Sequence, residues 1–174
     1  SNAWGTVYAT HFLLEAEKKG YLVPEGMKRD VLNDLSRIAR NWKPETSYWA
    51  ESEEMTQAYR LFVLALGQTA EVGAMNRLKE SKTLAPMSRY LLAAGYALVG
   101  RPDVSKELIA KTTALTTAYS EYDRTFGSDL RDNSIRLMTL CLLDGGKEAA
   151  LLANEISKTL ASDDWLSTQS TAFS

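Results

Sequence analysis

Two side chains in this sequence occur once each, and both could do chemistry: His11 and Cys141. His11 lies on a stripe with Trp4, Val7, Tyr8 and Leu14, spaced as one face of a helix. An imidazole in such an aromatic pocket can serve as a general base or nucleophile, or can line the pocket and hold one hydrogen bond. No Cys, Ser or second His is marked as its partner, so a pocket-lining role for Trp4, Tyr8 and His11 is expected. Cys141 is flanked by Leu137, Met138, Leu142 and Leu143. That setting predicts a buried, inert thiol, because an apolar surround disfavours the thiolate.

The carboxylates offer less. Glu51, Glu53 and Glu54 crowd the start of a helix, where the backbone dipole favours negative charge. Asp129, Arg131 and Asp132 open another, with Arg131 expected to bridge to the segment before it. Trp42, Tyr48 and Trp49 could form a sugar- or peptide-binding platform, but covering the end of a helical core accounts for them as well. One His and one Cys cannot make the usual zinc site, which takes three or four such ligands. The sequence thus predicts no catalytic residue, no metal and no cofactor. A net charge of -2, with Lys and Arg spread along the chain, predicts no nucleic-acid partner. No apolar run reaches the roughly 18 residues of a spanning helix, so no direct membrane insertion is expected.

The elements that must position these residues are helices. Prolines are few, Ala, Leu, Glu and Lys are abundant, and no stretch alternates as a strand does. Helices are expected over about 4–19, 24–40 with Val31, Leu35 and Ile38 inward, 53–66, 70–79 and 86–100. Further ones follow from Pro102 with Val104, Leu108 and Ile109 inward, from a Ser128 cap to Gly145-Gly146, and over 147–160. Ser167 and Thr168 read as the cap of a ninth that gains only Ala172 and Phe173 as apolar residues. Four apolar helices stop at Gly20, Gly67, Gly100 and Gly145, where a left-handed residue is favoured. Each is followed by a more polar helix. The stops lie 47, 33 and 45 residues apart. That is a string of αα-hairpins too irregular for a strict solenoid and suited to a barrel of paired helices. The stretch Ala114 to Asn133, with Tyr119, Tyr122 and Phe126, reads as an excursion from this pattern and a candidate functional loop.

Three stretches carry a family resemblance: Trp4-Gly5-Thr6-Val7-Tyr8-Ala9-Thr10-His11-Phe12-Leu13-Leu14-Glu15-Ala16, Phe126-Gly127-Ser128-Asp129-Leu130-Arg131-Asp132 with Ile135 and Leu137, and Trp165-Leu166-Ser167-Thr168-Gln169. The hairpin from Tyr90 to Gly100 supports them. In their order and spacing they resemble the thioester-containing, complement-like domain of the bacterial alpha-2-macroglobulin family, in its C-terminal part. The resemblance implies an all-α fold, αα-hairpins forming part of an α/α toroid, within a large secreted or envelope-anchored protein. Members of that family trap proteases: bait cleavage collapses the molecule around the attacker. Many then hold the protease through a thioester between a Cys and a Gln three residues later. Here Cys141 is followed by Leu142, Leu143 and Asp144, so it has no Gln at i+3 and no thioester residue carries over.

The expectation is therefore residues 1–3 as an expression-tag remnant and 4–174 as a fragment of an incomplete toroid. Its function is that of a non-enzymatic module of a protease trap in the periplasm or cell envelope. Its implied partners are proteases, met through the parent protein, and other domains of the same polypeptide. A tetratricopeptide-like interaction module and a carbohydrate-active enzyme on the same toroid are the alternatives. The enzyme would need acidic residues on the inner helices, whose interiors read as apolar. A truncated barrel would further expose apolar faces along Val7, Leu14, Leu64 and near Phe173, and so favour self-association.

Overall fold

A computed structural model describes residues 2–44, 48–81, 84–112, 127–163 and 166–174. Among these residues the chain is all-α. Its helices are α1 (Ala3–Lys18), α2 (Glu25–Asn41), α3 (Ala50–Leu66), α4 (Val72–Lys79), α5 (Pro86–Leu98), α6 (Pro102–Ala110), α7 (Asp129–Cys141), α8 (Gly146–Leu160) and α9 (Thr168–Phe173). Odd-numbered helices pack on one another in sequence: α1 on α3, α3 on α5, α5 on α7, α7 on α9. Even-numbered helices lie against them from outside. Successive αα-hairpins thus form an inner and an outer layer, the arrangement of the α/α toroid.

The sorting follows composition. Helices α3 and α5 are buried on most sides, with apolar runs over Leu61–Leu66 and Tyr90–Leu98, whereas α2 and α8 bury a single stripe each. Gly95 lets the two inner helices approach: a Cβ there would lie 3.5 Å from the Cα of Phe62 on α3. Pro86 and Pro102 occupy first turns, where a missing N–H costs nothing.

The glycine stops resolve into two kinds. Gly20 and Gly100 have φ of 87° and 75°, the left-handed conformation expected of them. Gly67 and Gly145 do not; there the left-handed residues are Gln68, Asp144 and Gly146. Gly67 and Gly145 are required for space. A Cβ would meet Leu32 Cδ2 at 3.0 Å in the first case and Leu140 Cβ at 2.6 Å in the second.

Several inward faces differ from the sequence-based expectation. In α2 the buried stripe is Leu32, Leu35, Ser36 and Ala39, while Val31 is half-buried and Ile38 exposed. The observed i, i+3, i+4, i+7 spacing accepts Ser36 where an apolar-only reading did not. In α7 the helix ends at Cys141, four residues before Gly145, and Cys141 is exposed. Its inward face instead carries Ser134 and Thr139, whose hydroxyls donate to the carbonyls of Leu130 (2.7 Å) and Ile135 (2.8 Å) one turn back. Val7, Leu14 and Leu64, expected on an exposed face, are buried in the core. Val104 and Leu108 of α6 are buried as expected, and Ile109 packs half-buried against the core. Of the segment 114–133, residues 114–126 lie outside the described residues, and Asp129 to Asn133 are the start of α7, capped by Ser128. Asn2 caps α1, accepting from the N–H groups of Trp4 and Gly5.

Candidate functional site

The aromatic stripe of α1 meets α3 and α9. Trp4, Tyr8 and His11 lie one turn apart on α1. Trp4 stacks at a tilt on Tyr59 of α3, ring centroids 4.8 Å apart. His11 sits edge-on to Tyr59 and to Phe62, at 5.7 and 5.3 Å. Phe173 of α9 closes the cluster from the far side, 5.5 Å from Tyr8 and 5.8 Å from Tyr59. The three residues expected to line a pocket are therefore brought together, in a filled aromatic cage.

His11 Nδ1 lies 2.9 Å from the Tyr59 hydroxyl. Tyr59 is fully buried and has no other hydrogen-bond partner among the described residues. Its O–H therefore donates to Nδ1, and His11 carries its proton on Nε2. Burial lowers the His11 pKa to about 4, with Glu15, 3.9 Å from Nε2, pulling the other way. Burial also pushes the Tyr59 phenol well above its ordinary value. Neither group is set up as a base at neutral pH: the imidazole's one basic nitrogen is occupied, and it faces no nucleophile.

Beneath the cage lies a residue whose importance the sequence did not reveal. Arg131 of α7 is fully buried, its guanidinium 5.4 Å over the Trp4 ring and bonded to Asp132 Oδ1 at 2.7 and 3.0 Å. It ties α7 to α1 through Trp4; the segment it was expected to bridge lies outside the described residues. The signal was available, since Trp4 and Arg131 belong to two of the recurring stretches, but nothing in linear order pairs them.

The inner helices are also less apolar than expected. On α3, Glu54 is buried and accepts from the Ser81 hydroxyl at 2.7 Å. It is not the exposed helix-start carboxylate that the Glu51, Glu53, Glu54 run suggested. Gln57 donates to the Ala39 carbonyl at 3.1 Å and accepts from Arg60, so buried polar groups stitch α3 to α2. Burial lowers the Arg60 pKa. These carboxylates and cations face packed protein, and no pair of carboxylates meets across a cleft among the described groups. Trp42 packs half-buried against the core, while Tyr48 and Trp49 form a T-shaped pair 4.9 Å apart. Among the described residues no three His, Cys, Asp or Glu side chains gather as metal ligands, and no helix is long and apolar enough to cross a membrane.

One surface stands out. Phe12, Leu13, Ala16, Tyr21, Leu22 and Val23 line an open apolar groove of about 530 Å³ where α1 turns toward α2, with Glu15 and Lys19 at its rim. Leu22 is 97 % exposed and Phe12 66 %. The apolar exposure expected along Val7, Leu14 and Leu64 is found here instead.

Layered αα-hairpins with a filled, polar-stitched centre and an apolar outer groove define a helical module of the toroid class. No protein-family model matches the chain. It is 32 % identical over 179 residues to alpha-2-macroglobulin of Escherichia coli K12, covering 95 % of this chain and 11 % of that protein. The native conformation of the E. coli protein superposes with a TM-score of 0.82 at 26 % identity, over 99 % of this chain and 11 % of that one. A native structure spanning domain MG7 to the C-terminus gives 0.81 at 26 % identity, over 99 % and 29 %. The trypsin-activated form gives 0.79 at 25 % identity, over 99 % and 12 %. The chain is a homologue of the bacterial alpha-2-macroglobulins, matching a helical stretch between domain MG7 and the C-terminus, and it spans about a ninth of the length of that relative.

Proposed function

We propose that this chain is a non-enzymatic packing module of a bacterial alpha-2-macroglobulin-type protease trap in the cell envelope. One observation carries the reading: the same helical arrangement matches the relative in its native form and after trypsin activation, at TM-scores of 0.82 and 0.79. A unit that keeps its fold through activation serves as a body moved by the change. The interior supports this. Arg131 bonds Asp132 and seats on Trp4, Gln57 bonds the Ala39 carbonyl of α2, Glu54 accepts from Ser81, and His11 is bonded to Tyr59. The partners of the module are other domains of its own polypeptide, seated on the groove of Phe12, Tyr21 and Leu22, and it reaches proteases only through the parent protein. Covalent capture has no residue here, since Cys141 lacks the amide partner three residues on.

The test is to incubate the purified chain with serine, cysteine and metalloproteases, and separately with glycan and ester substrates. Neither stoichiometric inhibition nor turnover is expected. Stoichiometric inhibition by the isolated chain would overturn the division of labour. Glycan turnover abolished by Glu54→Gln would favour the enzyme on an α/α toroid.

A further inference from the structure

We propose that His11, Tyr59 and Phe173 form an acid-sensitive latch, in which protonation of His11 releases α9 from the inner helices. The Tyr59 hydroxyl is buried and depends on His11 Nδ1 as its acceptor. Once the imidazole is protonated both ring nitrogens are donors. The Tyr59 O–H then loses its acceptor, and a buried hydroxyl and a buried cation both need water. Water has one inexpensive way in. Tyr59 and Phe62 belong to the close-packed α3 core, and Trp4 is pinned under Arg131. Phe173, half-buried and 6.3 Å from the His11 ring, lies at the edge of that packing.

Among the described residues, α9 is held by that ring and by hydroxyl pairs: Ser128 with Ser170 at 2.6 Å and Ser134 with Ser174 at 3.1 Å. Hydroxyl pairs exchange with water at little net cost, so Phe173 over the cage is the decisive contact. The charged groups around His11 are Glu15 and Lys18 on α1 and, beyond Tyr59, Arg131 on α7. Helix α9 brings no charge, and α3 contributes only the Tyr59 phenol and the Phe62 ring at this face. Glu15 offsets only part of the imidazolium's cost, and burial outweighs it. Acid therefore drives the latch in one direction.

Because His11 is the only histidine, the imidazole Cε1–H signal in NMR of the chain is assigned without ambiguity. Its shift and the contacts of the Phe173 ring to Tyr8 and His11 can be followed together from pH 7.5 to pH 3.5. With a docked His11 titrating near pH 4 and a released one near its ordinary 6.5, the undocked-to-docked ratio should rise on the order of 100-fold by pH 4. The His11→Gln variant keeps an acceptor for Tyr59 but cannot be protonated, and it retains every carboxylate; its Phe173 contacts should persist through the same range. Should that variant fail to fold, Tyr59→Phe removes the orphaned hydroxyl and should blunt the pH dependence. Three results would each overturn the latch: His11 titrating near 6.5 with Phe173 docked, Phe173 contacts unchanged across the His11 titration, or equal acid release in the variants.

Discussion

Gly95 sits where two inner helices approach, and its substitution can be worked out in advance. It lies inside α5 against α3, and an added Cβ would meet Met75 Cε at 3.3 Å and Phe62 Cα at 3.5 Å. Alanine adds that atom alone. The end of a methionine can move by a few tenths of an ångström, and alanine favours a helix over glycine by about 1 kcal/mol. Gly95→Ala should therefore lie within about 1 kcal/mol of the parent sequence. Leucine adds three carbons beyond Cβ, aimed at the α3 backbone, which cannot yield without parting α3 from α5. Overpacking of this kind costs about 1–3 kcal/mol, and the opened seam also uncovers Leu91, Leu92 and Phe62, all buried. Gly95→Leu should cost about 3 kcal/mol or more, lowering Tm by roughly 6–12 °C for a chain of this size. Urea unfolding followed by far-ultraviolet circular dichroism gives both values. A leucine variant within 1 kcal/mol of the parent sequence would refute the close α3–α5 approach.

Arg131→Ala should destabilise by about 3–5 kcal/mol, since it removes the buried cation bonded to Asp132 and seated on Trp4; a loss below 1 kcal/mol in the same unfolding assay would contradict that role. Cys141 should react with a maleimide under native conditions about as fast as in urea, because it is exposed at the end of α7; strong native protection would place it inside. Stability should fall as pH drops from 6.5 toward 4: burial lowers the His11 pKa, so the folded state binds this proton later than the unfolded one. The His11 share of that loss is at most about 3 kcal/mol, obtained by comparing urea midpoints with His11→Gln, and identical pH profiles would refute it.

The helical architecture was legible because its signals are local. Prolines at first turns, the Ser128 and Ser167 caps and the glycine stops each act within one or two turns, and each lies at a helix boundary in the structure. The stripe of Trp4, Tyr8 and His11 on one face of α1 was also legible, from its 3.6-residue period. What could not be read were inward faces that use polar residues. Ser134 and Thr139 point into the protein with their hydroxyls bonded to the preceding turn, and Ser36 completes a buried stripe, so apolarity alone put Val31, Ile38 and Cys141 inside when they are half-buried or exposed. The partners that complete the cage, Tyr59, Arg131 and Phe173, come from three other helices, and periodicity within α1 carries no information about them.

The central claim is that this chain is a packing module of a protease trap, and the most direct measurement is made on the intact parent protein. Trypsin added to it should lose activity on a large protein substrate while keeping activity on a small peptide substrate. Deleting residues 4–173, with every other domain present, should restore cleavage of the large substrate. Unimpaired shielding of trypsin by a well-folded deletion variant would contradict the account.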